Sequence, residues 1–201
     1  YSKSLIAWNI FPEIDFETLK ICLKGMSQEM KLWFCKHWTN FCGIGRKMFQ
    51  MKLWDNELCP CCRQIPEINA MHILICPHKS IKHVREKGFH DILKWLEKEQ
   101  TDPLLLQMIE NFWFGEEYII DSDSDQEYRR AYNIMKEIGV SQMWCGFLPR
   151  SMTVLQDSYF QSIGSLKSGK TWGKKFIHRL LRATHSVWME RNNVHHLQAI
   201  N

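Results

Sequence analysis

Along most of the chain apolar residues recur every three or four positions and strand-like alternation is scarce, so the pattern predicts a mainly helical protein. Asp15 stands before the first such run, which reaches about Met26, and Ser27 stands before a second that sets Met30, Trp33, Phe34, His37, Trp38 and Phe41 on one stripe. Short side-chain oxygens at these places accept the free N–H groups of a first helical turn. Gly43 and Gly45 interrupt the pattern, which resumes after Pro77 through Val84, Ile92, Trp95 and Leu96. Thr101, Asp102 and Pro103 read as another start, the Thr101 hydroxyl capping ahead of an early proline, and that run ends near Gly115. Two or three further helices are predicted from about Gln126 to Ile163, then a polar hinge at Gly164 to Gly169, then a long last helix with Thr171 as its cap. On that helix Trp172, Phe176, Leu180, Leu181, Val187 and Trp188 form a core stripe, with Lys175, Arg179 and Arg182 on an adjoining face.

The interruption between the second and third runs carries candidate chemistry. It contains CPCCRQIPEINAMHILIC, Cys59 to Cys76, in which Cys59 and Cys62 form a C-x-x-C pair and His72 and Cys76 lie one helical turn apart. Two ligands on a tight turn and two on a helical turn can converge on a tetrahedral ion, and thiolate with imidazole is the donor set that Zn²⁺ favours. Four protein ligands close the coordination sphere, so the expected role of a single Zn²⁺ is structural. Cys61 competes with Cys62 but leaves only one intervening residue, which makes it the non-ligand; His78 and His83 stand in reserve for His72.

Charge sharpens the picture. The net charge is +4, with six acids between Glu116 and Glu127 and, from Gln161 onward, seven Lys or Arg (Lys167, Lys170, Lys174, Lys175, Arg179, Arg182, Arg191) against Glu190 alone. The acidic stretch Gly115 to Gln126 reads as an exposed linker; its Asp121, Asp123 and Asp125 lack the glycine of a calcium loop, Gln126 standing in its place. The basic C-terminal segment suits a polyanion, because neutralising phosphates releases their counterions. For Arg191 and Asn192 a phosphate or base contact and a helix C-terminal cap remain open together. The start YSKSLIAWNIFPEIDF lacks the zones of a signal peptide, and no apolar run approaches the roughly eighteen residues that cross a bilayer. Eight cysteines in 201 residues, four of them clustered, suit metal ligation in a reducing compartment better than a secreted disulfide scaffold. The expectation is a soluble intracellular protein, nuclear or cytoplasmic, without membrane association.

Lys36, His37, Phe41, Cys42, Gly43, Gly45, Cys59, Pro60, Cys62, Glu67, His72 and Cys76, followed far downstream by Trp188, Arg191, Asn192 and His196, form a pattern. It resembles the zinc-knuckle helical region found downstream of the reverse transcriptase in retrotransposon-derived proteins of diatoms and other microbial eukaryotes. The likeness runs, with gaps, over about residues 14 to 197, and it also includes WLEKEQTDPLLL and GSLKSGKTWGKKFIHRLL. It implies nucleic-acid handling within a larger retroelement polypeptide. A neighbouring class carries a restriction-like nuclease after its knuckle, but neither Asp102 nor Asp121 lies in a convincing strand context for a two-metal site. The reverse transcriptase itself is excluded by length and by the lack of an Asp-Asp pair. His37, His178 and His185 have no nucleophile at a recognisable spacing and read as structural or surface histidines.

Together these readings predict an N-terminal helical segment (1–56), a zinc knuckle (57–78) and a C-terminal helical bundle (79–201) that forms one unit with the first segment. The expected function is a non-catalytic, zinc-binding, nucleic-acid-binding module contacting RNA or DNA through Lys167, Lys170, Lys174, Lys175, Arg179, Arg182 and Arg191. A protein-interaction scaffold with purely structural zinc is the alternative, and a metal-dependent nuclease the third reading. Most of the nine tryptophans are expected in the core, since large aromatics are buried on average.

Overall fold

In a computed structural model, residues 6–115 and 126–200 are described; the acidic loop from 116 to 125, with Asp121, Asp123 and Asp125, lies outside them. Among the described residues the regular structure is helical: α1 (Phe16–Lys24), α2 (Gln28–Trp38), α3 (Gly45–Gln50), α4 (Lys79–Lys98), α5 (Pro103–Phe114), α6 (Gln126–Ile138), α7 (Val140–Trp144), α8 (Arg150–Ser162) and α9 (Gly169–Ile200). Two short 3-10 helices, Trp8–Glu13 and Ala70–Leu74, complete it, and the β pairing is confined to isolated bridges at Ile14 with Pro149 and Leu58 with Pro66. No described helix is long and apolar enough to cross a membrane.

Contacts group the chain differently from the three consecutive segments read from the sequence. One unit comprises Tyr1–Gly25 and Asp91–Leu180, the other Met26–His90 and Leu181–Asn201. Both are discontinuous, and α4 and α9 give residues to each.

In the first unit α6 packs against α5, α7 and α8, and the buried layer includes Met108, Ile109, Met135, Trp144, Phe160, Trp172 and Phe176. Asp15 caps α1 as its position predicts, accepting from the Thr18 N–H at 2.9 Å, and its second oxygen accepts from the hydroxyls of Thr18 (2.7 Å) and Thr153 (3.0 Å). One buried carboxylate thus ties α1 to α8. Two predicted caps are displaced by one or more residues. Asp102 caps α5 by accepting from Leu104 N–H at 2.9 Å, and it also takes the Tyr128 hydroxyl of α6. The Thr101 hydroxyl instead accepts from the Trp172 indole N–H at 2.9 Å. A buried indole needs an acceptor, and a carboxylate accepts from backbone more strongly than a hydroxyl, so the two residues divide the work. At the start of α9, Ser168 Oγ accepts from Thr171 N–H at 3.2 Å, so Ser168 is the cap and Thr171 its donor. Gly169 follows because nothing larger fits: a Cβ there would lie 1.9 Å from the Thr153 carbonyl oxygen.

In the second unit α2 and the C-terminal part of α9 contribute Met30, His37, Val187 and Trp188 to a buried layer with Ile44, Ile73 and Ile81. Ser27 caps α2 through Met30 N–H at 3.3 Å, and Asn40 in the left-handed region ends it, leaving Phe41 beyond the helix and exposed. Of the nine tryptophans, Trp95, Trp113, Trp144, Trp172 and Trp188 are buried, whereas Trp8 is 84% exposed.

Candidate metal centre

The segment Glu57 to Cys76 folds in two halves that face each other. In the first, Leu58 bridges Pro66, Cys59 N–H donates to Ile65 O at 2.9 Å and Arg63 N–H to Cys59 O at 2.8 Å, with Arg63 itself at φ 53°. This tight reversal brings the Cys59 and Cys62 sulfurs to one side. In the second, the Asn69 side chain accepts from Met71 N–H at 3.0 Å and starts the 3-10 helix that carries His72, and Cys76 N–H donates back to His72 O at 2.8 Å. Arg85 of α4 donates to the carbonyls of Ile73 (3.2 Å) and Cys76 (3.1 Å), holding this half against the helix.

The result is the group the sequence predicts. Cys59, Cys62, His72 and Cys76 place their ligand atoms within 4.8 Å of one another, three of the four residues being buried. Cys59 Sγ lies 3.9 Å from Cys76 Sγ, and Cys62 Sγ lies 3.6 Å from His72 Nε2. Such a group can hold a metal ion. Cys61 stands outside the group: its thiol donates to the Arg191 carbonyl of α9 at 3.3 Å. His78 and His83 are outside the group. Hydrogen bonds from Cys61 and Cys76 pull the Cys59 thiol well below its usual range, whereas the same contacts and burial push Cys61 and Cys76 up.

A buried ion pair supports the centre. Arg191 donates through Nε to Glu67 Oε1 at 3.1 Å and through Nη2 to Glu67 Oε2 and to Gly43 O at 3.0 Å. Glu67 Oε2 also accepts from Gly45 N–H at 2.7 Å, and a Cβ on Gly45 would meet the Glu57 carbonyl oxygen at 2.5 Å. Glu67 lies between the two cysteine and histidine pairs, so this network joins the Cys59–Cys76 segment, the Gly43 to Gly45 turn and α9. The sequence reading named Glu67 and Arg191 within the resemblance but did not pair them. The available signal was Glu67 itself, a single carboxylate amid Ile65, Pro66, Ile68 and Ala70 that burial forces to find a cation.

The basic residues expected to meet a polyanion are not equivalent. Arg191 is 3% exposed and spent on Glu67, so it is neither a surface contact nor a helix cap. In the first unit Lys170 and Lys174 are exposed and make no hydrogen bond or ion pair among the described residues. Lys167 and Lys175 share Glu99, at 3.6 and 3.3 Å, and the Arg179 guanidinium lies 4.7 Å from the centre of the Trp95 ring. Arg182 is exposed on the second unit. His37 is a core residue, 3% exposed, stacked on Trp33 at 4.8 Å and edge-on to Trp188 at 5.4 Å, with neither ring nitrogen hydrogen-bonded. Burial, with the neighbouring charge of His185, lowers its pKa to about 3, so it stays neutral near pH 7. Asp102 is occupied as a helix cap.

No protein-family model, curated protein or solved structure matches the chain.

Proposed function

We propose that this chain is a non-catalytic module of a retroelement-type protein in which one structural zinc ion organises a helical unit and exposed basic side chains contact RNA or DNA. The geometry of the four ligand atoms carries the zinc assignment. Sulfurs about 2.3 Å and a nitrogen about 2.0–2.1 Å from a tetrahedral ion stand about 3.8 Å (S to S) and about 3.6 Å (S to N) apart. Two of the separations here are 3.9 Å (Cys59 to Cys76) and 3.6 Å (Cys62 to His72), and all four ligand atoms lie within 4.8 Å of one another. Three thiolates and an imidazole saturate the ion, which leaves no position for an activated water and supports a structural role. Thiolate ligation also favours a reducing compartment, nuclear or cytoplasmic.

The nucleic-acid reading rests on the exposed cations Lys170, Lys174, Lys175, Arg179 and Arg182, and the retroelement reading on the motif resemblance. Lys167 and Lys175 have only Glu99 between them, so that patch keeps a positive excess. The test is binding of labelled RNA and DNA oligonucleotides by the metal-loaded chain across a salt series. Affinity falls steeply with salt, with a slope of about 0.9 per phosphate neutralised on duplex DNA. Changing Lys174, Lys175, Arg179 and Arg182 together to Ala lowers affinity and flattens that slope without unfolding the chain. Absent or salt-insensitive binding points to the protein-interaction scaffold, and magnesium-dependent cleavage to the nuclease.

A further inference from the structure

Beside the metal centre the second unit forms a cleft of about 620 Å³ that the metal does not explain. Its walls are aromatic: Trp33 of α2, Phe41 from the turn after α2, Trp54, and Trp188 of α9. Phe41 is 66% exposed, so its ring is open to a ligand. Lys47 holds its ammonium 5.0 Å from the centre of the Phe41 ring. Lys36, His195 and His196 also line the cleft, and Glu29 is the one carboxylate on its lining, since the Arg191 charge there is already matched by Glu67.

The polar group on the α9 wall is fixed in orientation. Asn192 accepts from Arg191 Nη1 at 3.1 Å through its side-chain oxygen, and Arg191 is itself locked by Glu67 and Gly43. The amide nitrogen is therefore the end available to a ligand. Trp54 and His195, whose rings meet edge to face at 5.0 Å, also line a second cleft of about 530 Å³ that runs along the knuckle by Pro60 and Arg63. One aromatic pair thus borders both clefts.

We infer that this aromatic track is a base-stacking site for single-stranded nucleic acid, with unpaired bases against Phe41 and Trp54, the Asn192 amide donating to a base edge, and Lys36 and Lys47 meeting the backbone. The inference rests on the nucleic-acid reading above and adds to it the strandedness of the ligand and a second location. Ring faces are accessible only on bases that have left a duplex, and an aromatic platform accepts any of them. Lys36 on the lining, Lys47 over the Phe41 ring and a donor on the wall fit a phosphate-linked base better than an uncharged apolar ligand. The track draws Lys36, Phe41, Cys42 and Gly43 together with Trp188, Arg191, Asn192 and His196, two sets far apart in sequence.

The probe is a fluorescein-labelled oligothymidylate of about twelve nucleotides, compared with a duplex of the same length by anisotropy on the full, metal-loaded chain. The single strand binds more tightly than the duplex. Phe41→Ala and Trp54→Ala each weaken single-strand binding about five- to a hundred-fold, the range of one lost stack, and leave the salt slope unchanged. Phe41→Tyr retains binding, which separates stacking from a general loss of structure, and the exposed position of Phe41 keeps that variant folded. Ultraviolet crosslinking of an oligonucleotide carrying 5-iodouracil falls on Phe41 or Trp54. The inference is overturned if both alanine variants bind the single strand like the parent, if duplex binds equally well, or if crosslinks fall only between Lys167 and Arg179. In those cases salt-sensitive binding by the parent chain leaves the nucleic-acid reading standing, whereas a parent chain that binds neither probe at low salt removes both.

Discussion

Arg191 and Glu67, 124 residues apart in the chain, form a two-pronged ion pair in which both charges are buried and each side chain also bonds the Gly43 to Gly45 turn. Neither charge is tolerable there alone. Removing one partner of such a pair costs about 3–5 kcal/mol because the other is left uncompensated, while replacing both with apolar groups of like size costs much less. Arg191→Met and Glu67→Gln are therefore each expected to lose about 3–5 kcal/mol in urea unfolding of the metal-loaded chain, and the double variant to recover part of that loss. Additive losses would show that the pair is not coupled.

The four ligand side chains lead to a second expectation. Zinc binding by such a module is also folding free energy, so a strong chelator lowers and broadens the thermal transition, and His72→Ala or Cys76→Ser does the same with metal present. Cys61→Ser retains one equivalent of metal, because its thiol is bonded to the Arg191 carbonyl and stands outside the group. Elemental analysis with calorimetry decides both points; an unchanged transition in chelator rules out the structural role.

His37 ties stability to pH. Its folded pKa of about 3 lies below the ordinary value of 6.5, so between those limits the unfolded chain binds a proton that the native chain does not. Stability therefore rises with pH through that window and is lost on acidification, by up to about 1.4 kcal/mol per pH unit from this residue. His37→Phe keeps the stacked ring between Trp33 and Trp188 and removes that share of the acid sensitivity. Urea midpoints of parent and variant from pH 7 to about pH 5 give the difference, and parallel curves would exclude His37 as the source.

The Gly169 contact with α8 gives a prediction independent of metal. A Cβ at Gly169 runs into the Thr153 carbonyl and also approaches Asp157 N at 2.8 Å, both of them backbone atoms that cannot swing aside. Gly169→Ala is expected to cost at least the ~1–3 kcal/mol typical of overpacking, although alanine is intrinsically the better helix former. A neutral or stabilising result in thermal unfolding would mean that α9 can shift along α8.

The helices and the Cys/His group were legible in the sequence because each depends on local spacing: Asp15 and Ser27 cap where they stand, and two residues between Cys59 and Cys62 set a turn whatever lies around it. What was not legible depended on distant partners. Thr101 and Asp102 are equally good caps until the Trp172 indole claims the Thr101 hydroxyl. Thr171 looks like a cap until Ser168, at the point where Gly169 meets α8, proves better placed. Arg191 reads as a surface cation because a helical stripe does not disclose that Glu67 is waiting beneath it. The aromatic track was hidden for the same reason, since its two walls are brought together only by the fold.

The 3.9 Å separation of the Cys59 and Cys76 sulfurs has a practical consequence for handling the metal-free chain. Without a cation between them, two thiols at that distance are placed for air oxidation to a crosslink. Reloading then fails until a reductant is supplied. Recovery of the stripped protein should consequently track oxygen exposure rather than time, and an ion bound there would shield its own ligands from oxidation.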